Sequence, residues 1–287
     1  MDNGRTLVGS ELFRVDGLVA VVTGGGTGIG LIIAKTLALN GAAKVYIIGR
    51  RLEKLEEAAA VSPHGNIIPL QGDVTSKDDL DAVVAKITAD VGFINLLFCN
   101  SGISGPNHFG MPKDPSVSQM RDFIWQNWSQ EDFTNTLGVN VTSVFFTAIA
   151  FTELLSRGND KESQKVSSQI VVTASIASFL RVGPTGFAYL MSKVAVNHMA
   201  KSLSSYLVPY RIRVNCLNPG PFPSEMTEQI IGRVPGFTAE SSPEKRIMNE
   251  ADLVGATLYL CSTAGSYING LSLILDGGVI GTQPSTY

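Results

Sequence analysis

Three cysteines and three histidines among 287 residues leave little from which to build a metal centre. Cys99, Cys216 and Cys261 are odd in number, far apart and set in apolar stretches. That excludes a disulfide framework and a paired redox motif, so they read as reduced core thiols and no metal ligation is expected. Charge of one sign is missing as well. The formal net charge is −3 and no block of like charges occurs, which argues against a nucleic-acid partner or an anionic membrane surface. No apolar run reads as long enough to cross a membrane. The first 17 residues carry Asp2, Arg5, Glu11, Arg14 and Asp16 without an apolar core, so no secretory leader is expected and the cytoplasm is the expected address. Internal repeats, low-complexity tracts and interdomain linkers are also missing. The expectation is one α/β domain over residues 1–287, with a substantial core.

What is present is an alternation of short β-branched runs with helical patterns. Strands are expected at 17–23, 44–48, 66–70, 94–99, 169–175, 211–217 and 271–275, and helices at 31–39, 52–61, 76–91, 131–155, 188–207 and 250–262. The run at 94–99 is apolar throughout, as in a parallel sheet covered on both faces. Two stretches break the rhythm. Residues 103–128, with Gly105-Pro106, Met111-Pro112 and Asp114-Pro115, read as a long loop holding one short helix. Residues 227–248 are weakly periodic, and loops of that length are more often lids than accidents.

The first strand runs straight into Gly24-Gly25-Gly26-Thr27-Gly28-Ile29-Gly30 and then a helix. Glycines permit a tight turn and close backbone approach, while a helix N-terminus offers unpaired N–H groups to a phosphate. The spacing is G-x-x-x-G-x-G, not the usual G-x-G-x-x-G. After the second strand stand Arg50 and Arg51, with no Asp or Glu. A carboxylate there would bind a ribose 2′-hydroxyl, whereas guanidiniums suit a 2′-phosphate; the expected cofactor is therefore NADP(H) in preference to NAD(H). Asp73 either caps the following helix or flanks an adenine ring. Asn100-Ser101-Gly102 falls where the fourth strand would open into a ligand crevice. Asn140, amid apolar neighbours, is either a satisfied core amide or the holder of a water or a backbone carbonyl.

The densest chemistry lies at Ser175 and Tyr189-Leu190-Met191-Ser192-Lys193. Tyr189 and Lys193 are four apart and share a helix face. A free phenol has a pKa near 10; an adjacent ammonium would lower it, and a Ser hydroxyl could share the carbonyl oxygen that the phenol protonates. The aromatics Phe109, Trp125, Trp128, Phe179, Phe187, Phe222 and Phe237 fall in or near the rim loops. They would line a pocket for a bulky apolar ketone, or serve as core and subunit-interface residues.

Taken in chain order, T-G-G-G-T-G-I-G at 23–30, D-V at 73–74, N-S-G at 100–102, Asn140, Ser175, Y-L-M-S-K at 189–193, N-P-G at 218–220 and D-G-G at 276–278 resemble the classical short-chain dehydrogenase/reductase family, over residues 18–278. The resemblance implies a doubly wound, Rossmann-type parallel sheet of seven strands with helices on both faces. Residues 18–102 would mainly bind the dinucleotide. Residues 103–287 would form the catalytic half, with substrate loops near 103–128 and 221–249. It further implies that Gly24, Thr27, Gly28 and Ile29 bind the pyrophosphate region, that Asp73 and Val74 flank adenine, and that Asn100, Ser101 and Gly102 support the cofactor. Pro219, Gly220 and Phe222 would line the nicotinamide, with Ser224 where a Thr is usual. Asn140, Ser175, Tyr189 and Lys193 match the family's catalytic tetrad, with Tyr189 as acid, Ser175 polarising the carbonyl, Lys193 also binding the nicotinamide ribose, and Asn140 holding a relay water. The implied activity is that of a ketoreductase on a small-molecule carbonyl or alcohol, in a homodimer or homotetramer assembled through the helices near 131 and 188. Two other functions are compatible with the residues: a net redox-neutral isomerase or cyclase, and a non-catalytic NADP(H)-binding protein. Three departures from the pattern stand out. Ser101 replaces an Ala, Phe222 replaces a smaller β-branched residue, and 102–131 is longer than usual.

Overall fold

β-branched and aliphatic runs become strands because their stiff side chains pack well on a pleated surface. In the computed structural model, which describes residues 8–160, 166–228, 231, 238–240 and 242–286, seven such runs form one sheet. They are β1 (Val19–Thr23), β2 (Lys44–Gly49), β3 (Ile67–Gln71), β4 (Leu96–Cys99), β5 (Gln169–Thr173), β6 (Arg213–Pro219) and β7 (Ser272–Leu275), in the order β3-β2-β1-β4-β5-β6-β7. Every neighbouring pair is parallel. The chain winds outward from β1 to β3, then returns to β1's other side with β4. This reversal places a crevice beyond the carboxyl ends of β1 and β4, the position where such sheets bind ligands.

Helices cover both faces: α1 (Gly9–Leu12), α2 (Gly28–Leu39), α3 (Leu52–Ala60), α4 (Lys77–Asp90), α5 (Val117–Asn127), α6 (Gln130–Leu137), α7 (Ser143–Ala150), α8 (Thr152–Asn159), α9 (Phe187–Tyr206) and α10 (Glu250–Cys261). Strand alternation divides the core in two. Val19 and Val21 face one layer, with Ile87 of α4, Ala148 of α7 and Val196 of α9. Ala20 and Val22 face the other, with Ile33 of α2, Leu55 of α3 and Leu253 of α10. A fully buried aliphatic side chain contributes about 1.5–3 kcal/mol, against about 0–1 kcal/mol for exposed ion pairs such as Arg157–Glu153. The two layers, and not the surface charges, therefore hold the sheet. All three cysteines are free and buried, and burial pushes the Cys99 and Cys216 thiols up to about 12.

The structure differs from the expected elements in two places. The helix read at 131–155 is not continuous: α6 passes into a π-helical turn at Gly138–Thr142 before α7, and the chain bends again at Phe151 into α8. Further, Gln130–Ala150 is long and apolar enough, by length and composition alone, to cross a membrane, although the sequence reading found no such run. Core helices meet the same test, and Val144 and Ala148 are buried in the first layer. In the long segment after β4, α5 is the one short helix expected there. It opens on a capping box in which Ser116 accepts from the Gln119 N–H and Gln119 reaches back to the Ser116 N–H.

Candidate active site

The turn after β1 is shaped by close backbone approach. Gly24 has φ +66°, and a Cβ at Gly30 would lie 2.2 Å from the Gly24 carbonyl oxygen, so the first turn of α2 can seat on this loop only because its residue 30 has no side chain. Thr27 is the N-cap of α2, yet its side chain makes no capping bond; Ser76, Ser116, Ser129 and Asn249 cap their helices through side chains. The first-turn N–H groups of α2 are thus left for a ligand.

Thr23, buried at the end of β1, joins this turn to β4. Its hydroxyl accepts the N–H groups of Asn100 (2.9 Å) and Ser101 (3.1 Å) and donates to the Phe98 carbonyl (3.3 Å). Asn100 Nδ2 returns a bond to the Thr23 carbonyl at 3.1 Å. The sequence reading did not single out Thr23 as a site residue. Its signals were its place at the head of the T-G-G-G-T-G-I-G motif and a hydroxyl ending an otherwise apolar strand.

Asn140 lies in the π-helical turn, a feature frequent at functional sites. Its side chain is 1% exposed and fully engaged. Oδ1 accepts the Ile103 N–H (2.8 Å), while Nδ2 donates to the Ile103 carbonyl (2.9 Å) and to Ser192 Oγ (3.0 Å). Ser192 in turn donates to the Tyr189 carbonyl (2.7 Å). Of the roles open to Asn140, the side chain takes that of holding backbone: it ties the loop after β4 to the first turn of α9.

On α9, Lys193 is buried and donates to the Thr173 carbonyl (3.2 Å), with its Nζ 5.5 Å from the centre of the Tyr189 ring. Burial brings the Lys193 ammonium down to about 8. Burial also pushes the Tyr189 phenol up, and a hydrogen bond with Ser175 pulls it only partly back. The expectation was a phenol acidified by the neighbouring ammonium; here burial outweighs the hydrogen bond with Ser175 and the shift is upward. Ser175, at the end of β5, also accepts the Ala177 N–H (3.2 Å).

Asp73 does not cap α4; Ser76 does. Burial raises the Asp73 carboxyl, but bonds from the Thr75 N–H (2.9 Å) and hydroxyl (2.7 Å), with Arg50 nearby, bring it below its ordinary value. Arg50 and Arg51 are exposed at the end of β2. The Arg50 side chain has no hydrogen-bond partner among the described residues, whereas Arg51 reaches Glu225 at 3.1 Å.

These groups border one cleft of about 800 Å³. It takes in every candidate site residue except Asn140, which stands behind its wall: Gly24, Thr27, Gly28, Ile29, Arg50, Arg51, Asp73, Val74, Asn100, Ser101, Gly102, Ser175, Tyr189, Lys193, Pro219, Gly220, Phe222 and Ser224. The aromatics fare differently. Among the described residues, Phe222 alone of those named borders the cleft, and it is packed in the second core layer. Trp128 and Phe187 stack with His108 (centroids 5.0–6.1 Å apart), Trp125 is exposed beside Arg121, and Phe179 packs on Val279 and Ile280. Phe237 lies outside the described residues. Val139, Ile176, Leu180, Pro184 and Met226 also border the cleft, together with the polar Ser104, Asn135 and Thr185. The donor set fits a nicotinamide dinucleotide. An uncapped helix terminus suits the pyrophosphate, Lys193 keeps donors beyond its one bond to Thr173, and the buried Thr173 hydroxyl has no partner among the described residues.

A family model described as enoyl-(acyl carrier protein) reductase matches residues 24–280. The short-chain dehydrogenase/reductase PhomF of Diaporthe leptostromiformis is 46% identical over 288 residues, covering 98% of either chain. Among solved structures, the NADP active-site complex of Pseudomonas aeruginosa RhlG superposes with a TM-score of 0.80 at 26% identity, covering 94% of this chain and 99% of that one. The 3-ketoacyl-(acyl-carrier-protein) reductase of Brucella melitensis complexed with NADH gives 0.77 at 28% identity, with 92% and 99% covered.

Proposed function

The chain belongs to the short-chain dehydrogenase/reductase family of oxidoreductases, and on that premise we propose that it is an NADP(H)-dependent ketoreductase acting on a bulky apolar small molecule. The observation that carries this reading is that Ser175, Tyr189 and Lys193 border the same cleft as Arg50 and Arg51. When bound, the nicotinamide supplies the hydride. Tyr189 donates a proton to the carbonyl oxygen, and its raised pKa keeps the phenol protonated at neutral pH, the state that reduction requires. Ser175, bonded to that phenol, offers its hydroxyl to the same oxygen and fixes where the oxygen sits. Lys193, anchored on Thr173, presents its remaining donors to the ribose hydroxyls and its charge to the phenol as the proton leaves. Asn140 positions Ile103 and, through Ser192, the start of α9.

The two solved neighbours hold different nicotinamide forms, so the preference for NADP(H) rests on this chain's own β2 end, which carries two guanidiniums and no carboxylate at residues 49–51. The half-exposed Phe145, Phe146 and Ile149 of α7, with Met191 and Val194 of α9, form apolar faces suited to a homodimer or homotetramer. Reduced, buried thiols agree with a cytoplasmic address.

A panel of bulky apolar ketones, followed by oxidation of NADPH and of NADH, tests the reading. Faster NADPH consumption with stoichiometric alcohol is expected. Tyr189→Phe should lower turnover by about 10²–10⁴-fold, the usual worth of a positioned general acid, while leaving NADPH binding intact. Unchanged turnover in that variant would remove Tyr189 from the chemistry.

A further inference from the structure

The segment after β6 folds back over the phosphate turn. The Thr227 hydroxyl accepts the Ser224 N–H (2.9 Å) and donates to the Phe222 carbonyl, knitting residues 222–227 into a compact turn. One side of that turn lies against the glycine turn, where a Cβ at Gly28 would stand 3.4 Å from Ser224 Cβ. Beside Ser224, Glu225 reaches across the mouth of the cleft to Arg51, with Oε2 at 3.1 Å from Nη2. The two residues are 174 apart in the chain, and both border the cleft. The other cations at this end are placed differently: Lys54 pairs with Glu57 at 2.7 Å, and Arg50 has no hydrogen-bond partner among the described residues. One of the two guanidiniums available to a 2′-phosphate is therefore already held by a carboxylate of the protein.

We propose that Glu225 is a specificity-determining residue, an internal competitor whose carboxylate must release Arg51 before that guanidinium can engage the 2′-phosphate of NADP(H). The inference rests on the reading of this cleft as an NADP(H) site and deepens it. Glu225 has a twofold effect on a phosphorylated ligand: it occupies Arg51, and its negative charge repels the phosphate dianion. A ligand without the 2′-phosphate asks nothing of Arg51 and feels neither effect. Glu225 thus narrows the preference for NADP(H) over NAD(H) that Arg50 and Arg51 create, and it couples the seating of residues 222–227 over the phosphate turn to the phosphorylation state of the cofactor. Because both partners are more than half exposed, the effect is modest and sensitive to salt.

The test is a set of binding titrations, without turnover, of the full chain with NADPH, NADH and adenosine 2′,5′-bisphosphate, a probe that carries the phosphate and no nicotinamide. Glu225→Gln should tighten NADPH and the bisphosphate by about fivefold, the upper range for release of an exposed pair, and leave NADH unchanged. That gain should fade at high ionic strength and be absent when Glu225→Gln is made in an Arg51→Ala background. An unaltered NADPH-to-NADH ratio in Glu225→Gln, or equal tightening of both, would overturn the role of Glu225 even if Arg51→Ala and Arg50→Ala weaken NADPH selectively. If those two arginine variants weaken NADPH and NADH equally, the NADP(H) reading itself fails and the inference falls with it.

Discussion

At Lys193, burial and charge act against each other. The ammonium is 5% exposed and makes one hydrogen bond to a backbone carbonyl, so folding carries a proton into surroundings that disfavour it. Its pKa falls from an ordinary 10.5 to about 8. Between those values the unfolded chain holds a proton that the folded chain has lost, and stability must rise with pH. Below about 8 both states are charged and the full cost of the buried ammonium is present. In the cofactor-free protein, the unfolding free energy of the parent should therefore gain about 2–3 kcal/mol on Lys193→Met between pH 7 and pH 10. Tyr189 is common to both proteins and drops out of the difference. A gap that stays constant across this range would contradict the placement of Lys193. Neither shift was legible in the sequence. The four-residue spacing put the two side chains on one face, but the depth of burial that raises the phenol depends on which other elements close over them.

The π-helical turn is the element on which the site's geometry depends. It places Asn140 where both side-chain ends meet the backbone of Ile103, joining the loop after β4 to the start of α9. Asn140→Ala would orphan the Ile103 N–H and carbonyl behind the cleft wall and leave Ser192 without its donor. A buried polar group left unpaired costs about 1–3 kcal/mol, so an equal loss of stability is expected in urea, with faster hydrogen exchange at the Ile103 amide. Unchanged protection there would refute the bracing role. A turn with i→i+5 bonds has no periodic signature, which is why residues 131–155 read as one helix. The excursion after β4 was legible as a break in pattern, and Ser116 and Gln119 have the spacing that starts α5. Its packing was not legible: Trp128 Nε1 donates to the Asn107 carbonyl (3.0 Å) and the His108 N–H to the Pro184 carbonyl (3.1 Å). Those contacts draw aromatics expected at the rim into a brace beside the 183–187 segment.

For the whole molecule, the alternation of strands and helices was readable because each strand is apolar enough to need cover on both faces. The sheet order was not local information. The family resemblance implied a doubly wound sheet of seven parallel strands, and the structure supplies the order: the chain reverses between β1 and β4, and the cleft opens there. Site residues concentrated in short motifs were legible, since glycines at 24 and 30 and the Tyr189–Lys193 pair carry their geometry in their spacing. Residues that act through distant partners were hidden, among them Thr23 clamping Asn100 and Glu225 holding Arg51. The proposed function joins these scales: Tyr189 borders the cleft as the proton donor to a carbonyl that the cofactor reduces. Reduction of the best ketone in the panel with NADPH deuterated at nicotinamide C4 tests this directly. The account predicts one deuterium on the carbinol carbon of the alcohol for each NADPH consumed from the labelled face. Turnover that leaves the label on the cofactor, or releases it to water, would contradict it.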